Sequence, residues 1–241
     1  VALNPSARTV TPMRKIGLLG GMSWESSALY YRLLNEGVRD RAGGFHSAPC
    51  LLCSVDFAVV EDLQARGAWD EAGELLAREA AALEGAGAEG LVLCTNTMHK
   101  VADTITAAVS VPLLNVVDVT ADSVRAAGVT AVALLGTRFT MEEPFYADRL
   151  AVHGLTVLVP PAEDRRVVDG VIYGELVRGV IREESRAAYQ DVIARLVERG
   201  AAGVILGCTE IELLVGQEDC PVPAFPTTRL HAEAAVDFIL S

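Results

Sequence analysis

Three segments of the first half of this sequence recur in its second half, in the same order. They start at residues 16, 86 and 111, and their echoes start at residues 132, 199 and 222. IGLLGG returns as VALLGT, AGAEGLVLCTNT as RGAAGVILGCTE, and VPLLNVVDVTADSV as VPAFPTTRLHAEAA. One echo between apolar segments can arise by chance, whereas three in register indicate an internal duplication. The chain is therefore expected to fold as two similar halves.

Each half alternates continuous apolar runs with stretches of helical spacing. In the first half the runs at 15–21, 50–55, 90–94 and 111–117 predict strands, and 69–86 and a segment from about 97 predict helices. A helix also follows Ser23, which is placed as its N-cap. Strands that are apolar throughout are typical of a parallel sheet covered on both faces. We predict an α/β fold with two doubly wound parallel-sheet lobes, related by a pseudo-twofold axis and facing each other across a cleft.

The echoes also predict the domain limits. The first lobe is expected over 14–117 and the second over 118–222, with 223–241 returning to the first lobe and 1–13 forming a flexible leader.

Composition excludes several classes of function. With 20 basic and 32 acidic residues, the formal charge is −12, which disfavours binding to nucleic acid or to anionic membranes. No apolar run is long enough to span a bilayer, so a cytoplasmic protein is expected. The five cysteines do not form a disulfide framework, and Cys50 and Cys53 are interpreted as inert thiols in a buried strand.

Four predicted strand-to-helix turns carry the polar residues of interest: GGMSWES, TNTMH, GTRFT and CTEIE. A hydroxyl at a helix start is explained as well by N-capping as by ligand binding. Convergence of several such turns at the mouths of two sheets favours a site for a small anion, such as the carboxylate of an amino acid.

The internal alignment pairs Thr95 with Cys208, and Cys94 with Gly207. If the lobes face each other, Thr95 and Cys208 approach a ligand from opposite sides. A thiol at a helix N-terminus is expected to have a lowered pKa, which makes Cys208 a candidate base; a buried structural cysteine is the alternative.

Cofactor motifs are missing. There is no P-loop and no full G-x-G-x-x-G, and the two lysines, Lys15 and Lys100, are poorly placed for a pyridoxal-phosphate Schiff base. The histidines have no metal-ligand spacing. His99 could polarise the site or lie on a helix surface. We expect neither a cofactor nor a metal.

At these residues the sequence resembles the cofactor-independent aspartate/glutamate racemase family. The resemblance rests on GGMSWES (20–26), SVDF (54–57), LCTNTMHK (93–100), LLGTRFTM (134–141) and GCTEI (207–211). It implies racemisation of amino acids without pyridoxal phosphate by two opposed cysteines, in a homodimer. Cys208 matches one catalytic cysteine, whereas Thr95 stands where the family has the other. The resemblance implies that the substrate is bound by the following residues: Met22, Ser23, Ser54, Asn96, Thr97, Thr137, Thr140, Thr209 and Glu210.

The threonine is a chemical departure, because an aliphatic hydroxyl is a far weaker acid than a thiol. By the family's handedness, Cys208 faces the L-amino acid, so proton abstraction is expected to start from the L enantiomer. The region 160–170 also lacks the lysine with which acid-specific members hold the distal carboxylate. Arg165 or Arg166 could replace it, or the recognised side chain is not acidic. Aspartate and glutamate are the default substrates.

Two other readings remain open. Relatives with one cysteine carry out decarboxylation, hydantoin racemisation or maleate isomerisation through a similar carbanion. The chain could also be a non-catalytic two-lobed amino-acid-binding protein, with the polar turns serving recognition alone.

Overall fold

The computed structural model describes residues 12–241, so most of the predicted leader, 1–13, lies outside the described residues. Two four-stranded parallel sheets are present. The first, in the order β2-β1-β3-β4, consists of β1 (Ile16–Gly20), β2 (Cys50–Ser54), β3 (Gly90–Leu93) and β4 (Leu113–Leu114). The second, in the order β6-β5-β7-β8, consists of β5 (Ala131–Gly136), β6 (Thr156–Leu158), β7 (Gly203–Gly207) and β8 (Ala224–Pro226). The same strand order in both sheets confirms the predicted two-lobed α/β fold.

Helices cover both faces of each sheet. The first half contains α1 (Trp24–Ala42), α2 (Phe57–Ala65), α3 (Trp69–Gly85), α4 (Ala102–Ala107) and α5 (Val116–Ala126). The second half contains α6 (Arg138–Glu142), α7 (Pro144–Val152), α8 (Ala162–Gly174), α9 (Glu183–Glu198), α10 (Ile211–Leu214) and α11 (Thr227–Leu240). Short 3₁₀ helices span Thr97–Val101, Leu176–Arg178 and Gln217–Asp219. The central strands β1, β3 and β7 are buried along their whole length, as continuous apolar runs require.

The last helix of each half crosses to the other lobe. Val117 and Val124 of α5 pack in the core of the second sheet, with Val132 and Leu134. In the reciprocal arrangement, α11 packs in the core of the first lobe through residues that contact β1 and α1, although β8 pairs with β7 in the second sheet. This exchange ties the two lobes together through buried apolar contacts.

Two local predictions are wrong. The segment 50–55 is not a buried strand: β2 is an edge strand, Leu52 is 47% exposed and both cysteines are only half-buried. Burial and the hydrogen bond that the Cys53 thiol donates to Glu79 raise the pKa of Cys53 to about 11. The run 111–117 forms only the two-residue strand β4, because Asn115 accepts the Val117 N–H and starts α5.

Candidate active site

The central strands of both sheets end at a cavity between the lobes. Strands β3 and β7 end just before the turns 94–97 and 208–210, which contribute residues from opposite lobes. Fifteen residues line the cavity: Met22, Ser23, Phe57, Gln64, Thr95, Asn96, Thr97, Thr137, Ile172, Tyr173, Val177, Gly207, Cys208, Thr209 and Glu210. Nine of them are among the eleven residues predicted from the sequence. The fold thus brings together residues that lie up to 188 positions apart in the chain, Met22 and Glu210.

The other two predicted site residues lie elsewhere. Ser54 is exposed at the end of β2 and does not line this cavity. Thr140 is buried one turn behind the cavity, where its hydroxyl lies 3.3 Å from that of Thr137. Arg165 and Arg166, the predicted replacements for a lysine, also lie outside the lining: Arg165 binds Glu142 and the Pro160 carbonyl, and Arg166 is exposed.

Cys208 is buried at the start of the turn after β7, and its thiol donates a 3.0 Å hydrogen bond to Glu210 Oε2. Burial, followed by the negative charge of Glu210 and this hydrogen bond, raises the pKa of Cys208 well above its ordinary value. The backbone N–H groups of Glu210 and Ile211 lower it, as predicted for a helix start, but they are outweighed. The expectation of a lowered pKa is therefore wrong, and the resting group is a thiol.

Glu210 connects the thiol to the opposite lobe. Its Oε2 accepts the Cys208 thiol, and its Oε1 accepts the hydroxyls of Ser23 at 3.0 Å and Ser26 at 3.1 Å. Ser23 is also the N-cap of α1, as the sequence predicts, because its oxygen accepts the Ser26 N–H. The carboxylate is thus fixed by donors from both lobes.

Thr95 lies across the cavity in the turn after β3. Its backbone carbonyl lies 2.8 Å from His99 Nδ1. Cys94, one residue earlier, points into the core of the first lobe, as the alternation of side chains along a strand requires. Burial raises the pKa of Cys94, which keeps it a neutral core thiol.

His99 lies neither in the cavity lining nor on a helix surface. The Val116 N–H donates to its Nε2, so its Nδ1 carries the proton and donates to the Thr95 carbonyl. Burial lowers the pKa of His99 to about 3. His99 therefore links the Thr95 turn to the first residue of α5, the helix that crosses to the second lobe.

The cavity is small. Its volume is about 40 Å³, enough for about three water molecules. Hydrogen bonds connect the two lobes at its wall, including Ser23 to Glu210 and a 2.9 Å contact between the hydroxyls of Thr97 and Thr137.

Comparison with known proteins agrees with this geometry. The profile of the Asp/Glu/Hydantoin racemase family matches residues 19–235. The chain belongs to this family. A solved structure of a proposed Asp/Glu racemase from Yersinia pestis is 51% identical, with a TM-score of 0.90 over 95% of this chain and 100% of that one. An aspartate racemase homologue from Pyrococcus horikoshii OT3 is 32% identical, with a TM-score of 0.84 over the same shares of the two chains.

A more distant solved structure shares the fold. The aspartate racemase of Picrophilus torridus is 20% identical, with a TM-score of 0.73 over 92% of each chain. At that identity the likeness extends to the fold alone.

In this racemase-family chain, sequence reasoning missed part of the cavity wall: Phe57, Gln64, Ile172, Tyr173 and Val177. These residues lie on α2, α8 and the 3₁₀ helix that follows α8. No echo between the halves marks them, and their residue types are those of an ordinary helix face. The SVDF motif, immediately before α2, was the one available signal.

Residues 12–241 contain neither a candidate metal-binding cluster nor a candidate membrane-spanning helix. No three His, Cys, Asp or Glu side chains there are grouped so that they could hold a metal ion. In the same range, no helix combines the length and apolar character needed to cross a membrane.

Proposed function

We propose that this chain is a cofactor-independent amino-acid racemase in which Cys208 removes the α-proton from the L enantiomer. The observation that carries the proposal is the pair of Thr95 and Cys208 lining one cavity from opposite lobes. Membership of a racemase family supports the same reaction class. Aspartate and glutamate, which occur in the descriptions of the relatives, are the first substrates to test.

The contacts of Cys208 suggest how its raised pKa is overcome. Glu210 accepts the thiol hydrogen bond and is positioned to take the proton as the α-carbon approaches the sulfur. The thiolate then takes the α-proton, and the electron pair remains on the α-carbon as a carbanion. The hydroxyl of Thr95 returns a proton from the opposite face and is reprotonated by water. Glu210 gives the proton that it holds to the resulting hydroxide, which restores its carboxylate.

The two faces are expected to differ in rate. A thiolate is an accessible base in a protein, whereas an alkoxide of threonine requires a strong neighbouring base. Among the described residues no side chain hydrogen-bonds the Thr95 hydroxyl, and the nearby His99 is occupied by two backbone groups. Abstraction from the D enantiomer should therefore be much slower than from the L enantiomer.

Deuterium exchange tests the proposal. L- and D-aspartate and L- and D-glutamate are incubated with the protein in deuterium oxide, and loss of the α-proton signal is followed by NMR. We expect exchange from the L enantiomers, lowered by at least about a thousandfold in Cys208→Ser. Equal rates from both enantiomers, or exchange that survives Cys208→Ser, would contradict the mechanism.

A protein that binds amino acids without turning them over would show ligand-induced stabilisation and no exchange. The family resemblance also predicts a homodimer, which light scattering of the purified protein would test.

A further inference from the structure

The part of the cavity wall formed by helices contains no positive charge. None of the fifteen lining residues is a lysine, arginine or histidine, and Glu210 is the one carboxylate among them. An amino acid with an uncharged side chain carries one ammonium and one carboxylate, so its charges cancel. A second carboxylate on the side chain would enter with no cation in the wall to compensate it.

Three positively charged residues lie close in sequence to residues of the cavity lining, but their side chains are exposed or contact other groups. Lys100 pairs with Glu143 and stacks over the ring of Trp69. The Arg138 side chain is exposed and lies 5.0 Å from the centre of the Phe139 ring. Arg178 follows Val177 directly, but its side chain is also exposed and does not line the cavity.

The electrostatic surroundings of Tyr173 point the same way. Burial raises the pKa of its phenol, and the carboxylates that raise it further are those of Asp169, Glu210 and Glu61. The charged groups that affect Tyr173 are therefore carboxylates, in keeping with the formal charge of −12 on the chain.

Gln64 contributes an amide group to this wall, beside the phenol of Tyr173. It is buried, and its amide nitrogen lies 2.9 Å from Met98 Sδ. Among the described residues no donor reaches its Oε1, and Gln64 is one of the residues that line the cavity. An amide oxygen accepts hydrogen bonds from a carboxamide or a hydroxyl but offers nothing to a carboxylate.

We infer that the site takes L-amino acids with an uncharged side chain in preference to dicarboxylic amino acids. The side chain would lie against Phe57, Gln64, Ile172, Tyr173 and Val177, with Gln64 Oε1 available to a side-chain donor. This inference rests on the proposed racemase function and specifies its substrate class.

Two pairs of nearly isosteric amino acids test it. Exchange of the α-proton in deuterium oxide is measured as kcat/KM for L-asparagine against L-aspartate, and for L-glutamine against L-glutamate. The two amino acids of each pair have side chains of nearly the same size that differ mainly in charge, so the comparison isolates the effect of charge. We expect the amide to exceed the acid by about tenfold or more in at least one pair.

A charge-introducing variant sharpens the test. Val177 is half-buried, so Val177→Lys can place an ammonium at this wall, and Val177→Met is its matched uncharged control. Relative to Val177→Met, Val177→Lys should shift the acid-to-amide ratio of kcat/KM at least about fivefold toward the acid. An unchanged ratio would mean that the substrate side chain does not lie at this wall.

The outcomes separate the two proposals. Exchange of the acids equal to or faster than that of the amides overturns the substrate class and leaves the racemase function standing. Stabilisation of the protein by these amino acids without exchange overturns the racemase function, and the inference fails with it.

Discussion

The turn after β3 and the turn after β7 occupy equivalent places in the two lobes, yet they contribute different chemistry. Cys94-Thr95-Asn96-Thr97 stands against Gly207-Cys208-Thr209-Glu210. The second turn holds a thiol bound to a carboxylate, and the first holds a hydroxyl without such a partner among the described residues. A duplicated scaffold has therefore kept its geometry while the acid–base character of its two sides has diverged.

The two lobes can also be compared behind the site, at the residues that cap α5 and α11, the helices that cross to the other lobe. His99 Nε2 accepts the N–H of Val116 at the start of α5, and Glu212 Oε1 accepts the N–H of Thr228 at the start of α11. Both acceptors lie four residues after the paired site residues, Thr95 and Cys208. The capping role is the same in both lobes, but one acceptor is a neutral imidazole and the other a carboxyl group.

Thr95→Cys should remove the largest difference between the two turns. A thiol at this position can be ionised where the hydroxyl cannot, so we expect exchange from the D enantiomer to rise by about a hundredfold. The measurement is α-deuteration of the D-amino acid by NMR, with exchange from the L enantiomer as the internal reference.

Thr95→Ser is the matched control, because it keeps a hydroxyl and changes only a methyl group. It should leave D-side exchange within about threefold of the unmodified protein. An equal increase of exchange from the D enantiomer in Thr95→Cys and Thr95→Ser would show that the size of residue 95, and not its acidity, limits this exchange.

His99 should make the first lobe sensitive to acid. Its pKa is about 3 in the folded protein and about 6.5 in an unfolded chain, so the unfolded state binds more protons as the pH falls below 6.5. Lowering the pH from 7.5 to 5 should cost about 2 kcal/mol of the free energy of unfolding through this residue. The measurement is urea denaturation at both pH values.

His99→Gln is the comparison variant, since its amide has no titration in this range. When the pH falls from 7.5 to 5, the free energy of unfolding of His99→Gln should decrease by about 2 kcal/mol less than that of the unmodified protein. His231, whose pKa burial lowers to about 4, remains in both proteins and contributes equally to both. An identical pH dependence would mean that His99 becomes protonated without disturbing the folded state.

The sequence was sufficient to predict the parts of the molecule that the duplication repeats. Continuous apolar runs located the central strands, and the paired turns placed Thr95 and Cys208 at one cavity. The protonation state of Cys208 could not be predicted, because it depends on Glu210 and on burial, and both effects arise only after folding. The position of Cys208 at a helix start reveals the N–H groups that lower its pKa, but not the carboxylate of Glu210 that outweighs them.

The cavity wall on α2 and α8 was missed for a related reason. Gln64 and Tyr173 come from helices whose periodicity resembles that of any amphipathic helix, and only tertiary packing shows which face meets the other lobe. The exposed position of Ser54 was also invisible in the sequence, since a short apolar run does not reveal whether a strand is central or at an edge.

Glu210→Gln should make Cys208 more reactive while impairing catalysis. Removing the negative charge lowers the pKa of the thiol, and we expect alkylation of Cys208 by iodoacetamide at pH 8 to accelerate about tenfold. Exchange of the α-proton should fall, because the group that accepts the thiol proton is gone.

Peptide mass spectrometry measures alkylation at each cysteine separately, which provides an internal control. The pKa of Cys220 is raised to about 11 by burial and by Asp219 and Glu218, not by Glu210. Its alkylation rate should be unchanged in Glu210→Gln. Slower alkylation of Cys208 would show that Glu210 activates the resting thiol instead of restraining it.

Glu212→Gln should give the smallest effect and the opposite pH dependence to His99→Gln. Burial raises the pKa of Glu212, so the folded state holds a proton more tightly than the unfolded state, and stability is lost as the pH rises above about 4.5. The glutamine keeps an oxygen for the Thr228 N–H but gives up the 3.3 Å ion pair with Arg229. We expect the free energy of unfolding of the variant to lie within about 1 kcal/mol of that of the unmodified protein at pH 7.5. The difference should favour the variant more at pH 7.5 than at pH 5, and urea denaturation measures both. If Glu212→Gln instead becomes less stable relative to the unmodified protein as the pH rises, the ion pair with Arg229 outweighs the effect of burial on Glu212. The two capping residues, His99 and Glu212, would then differ in more than charge.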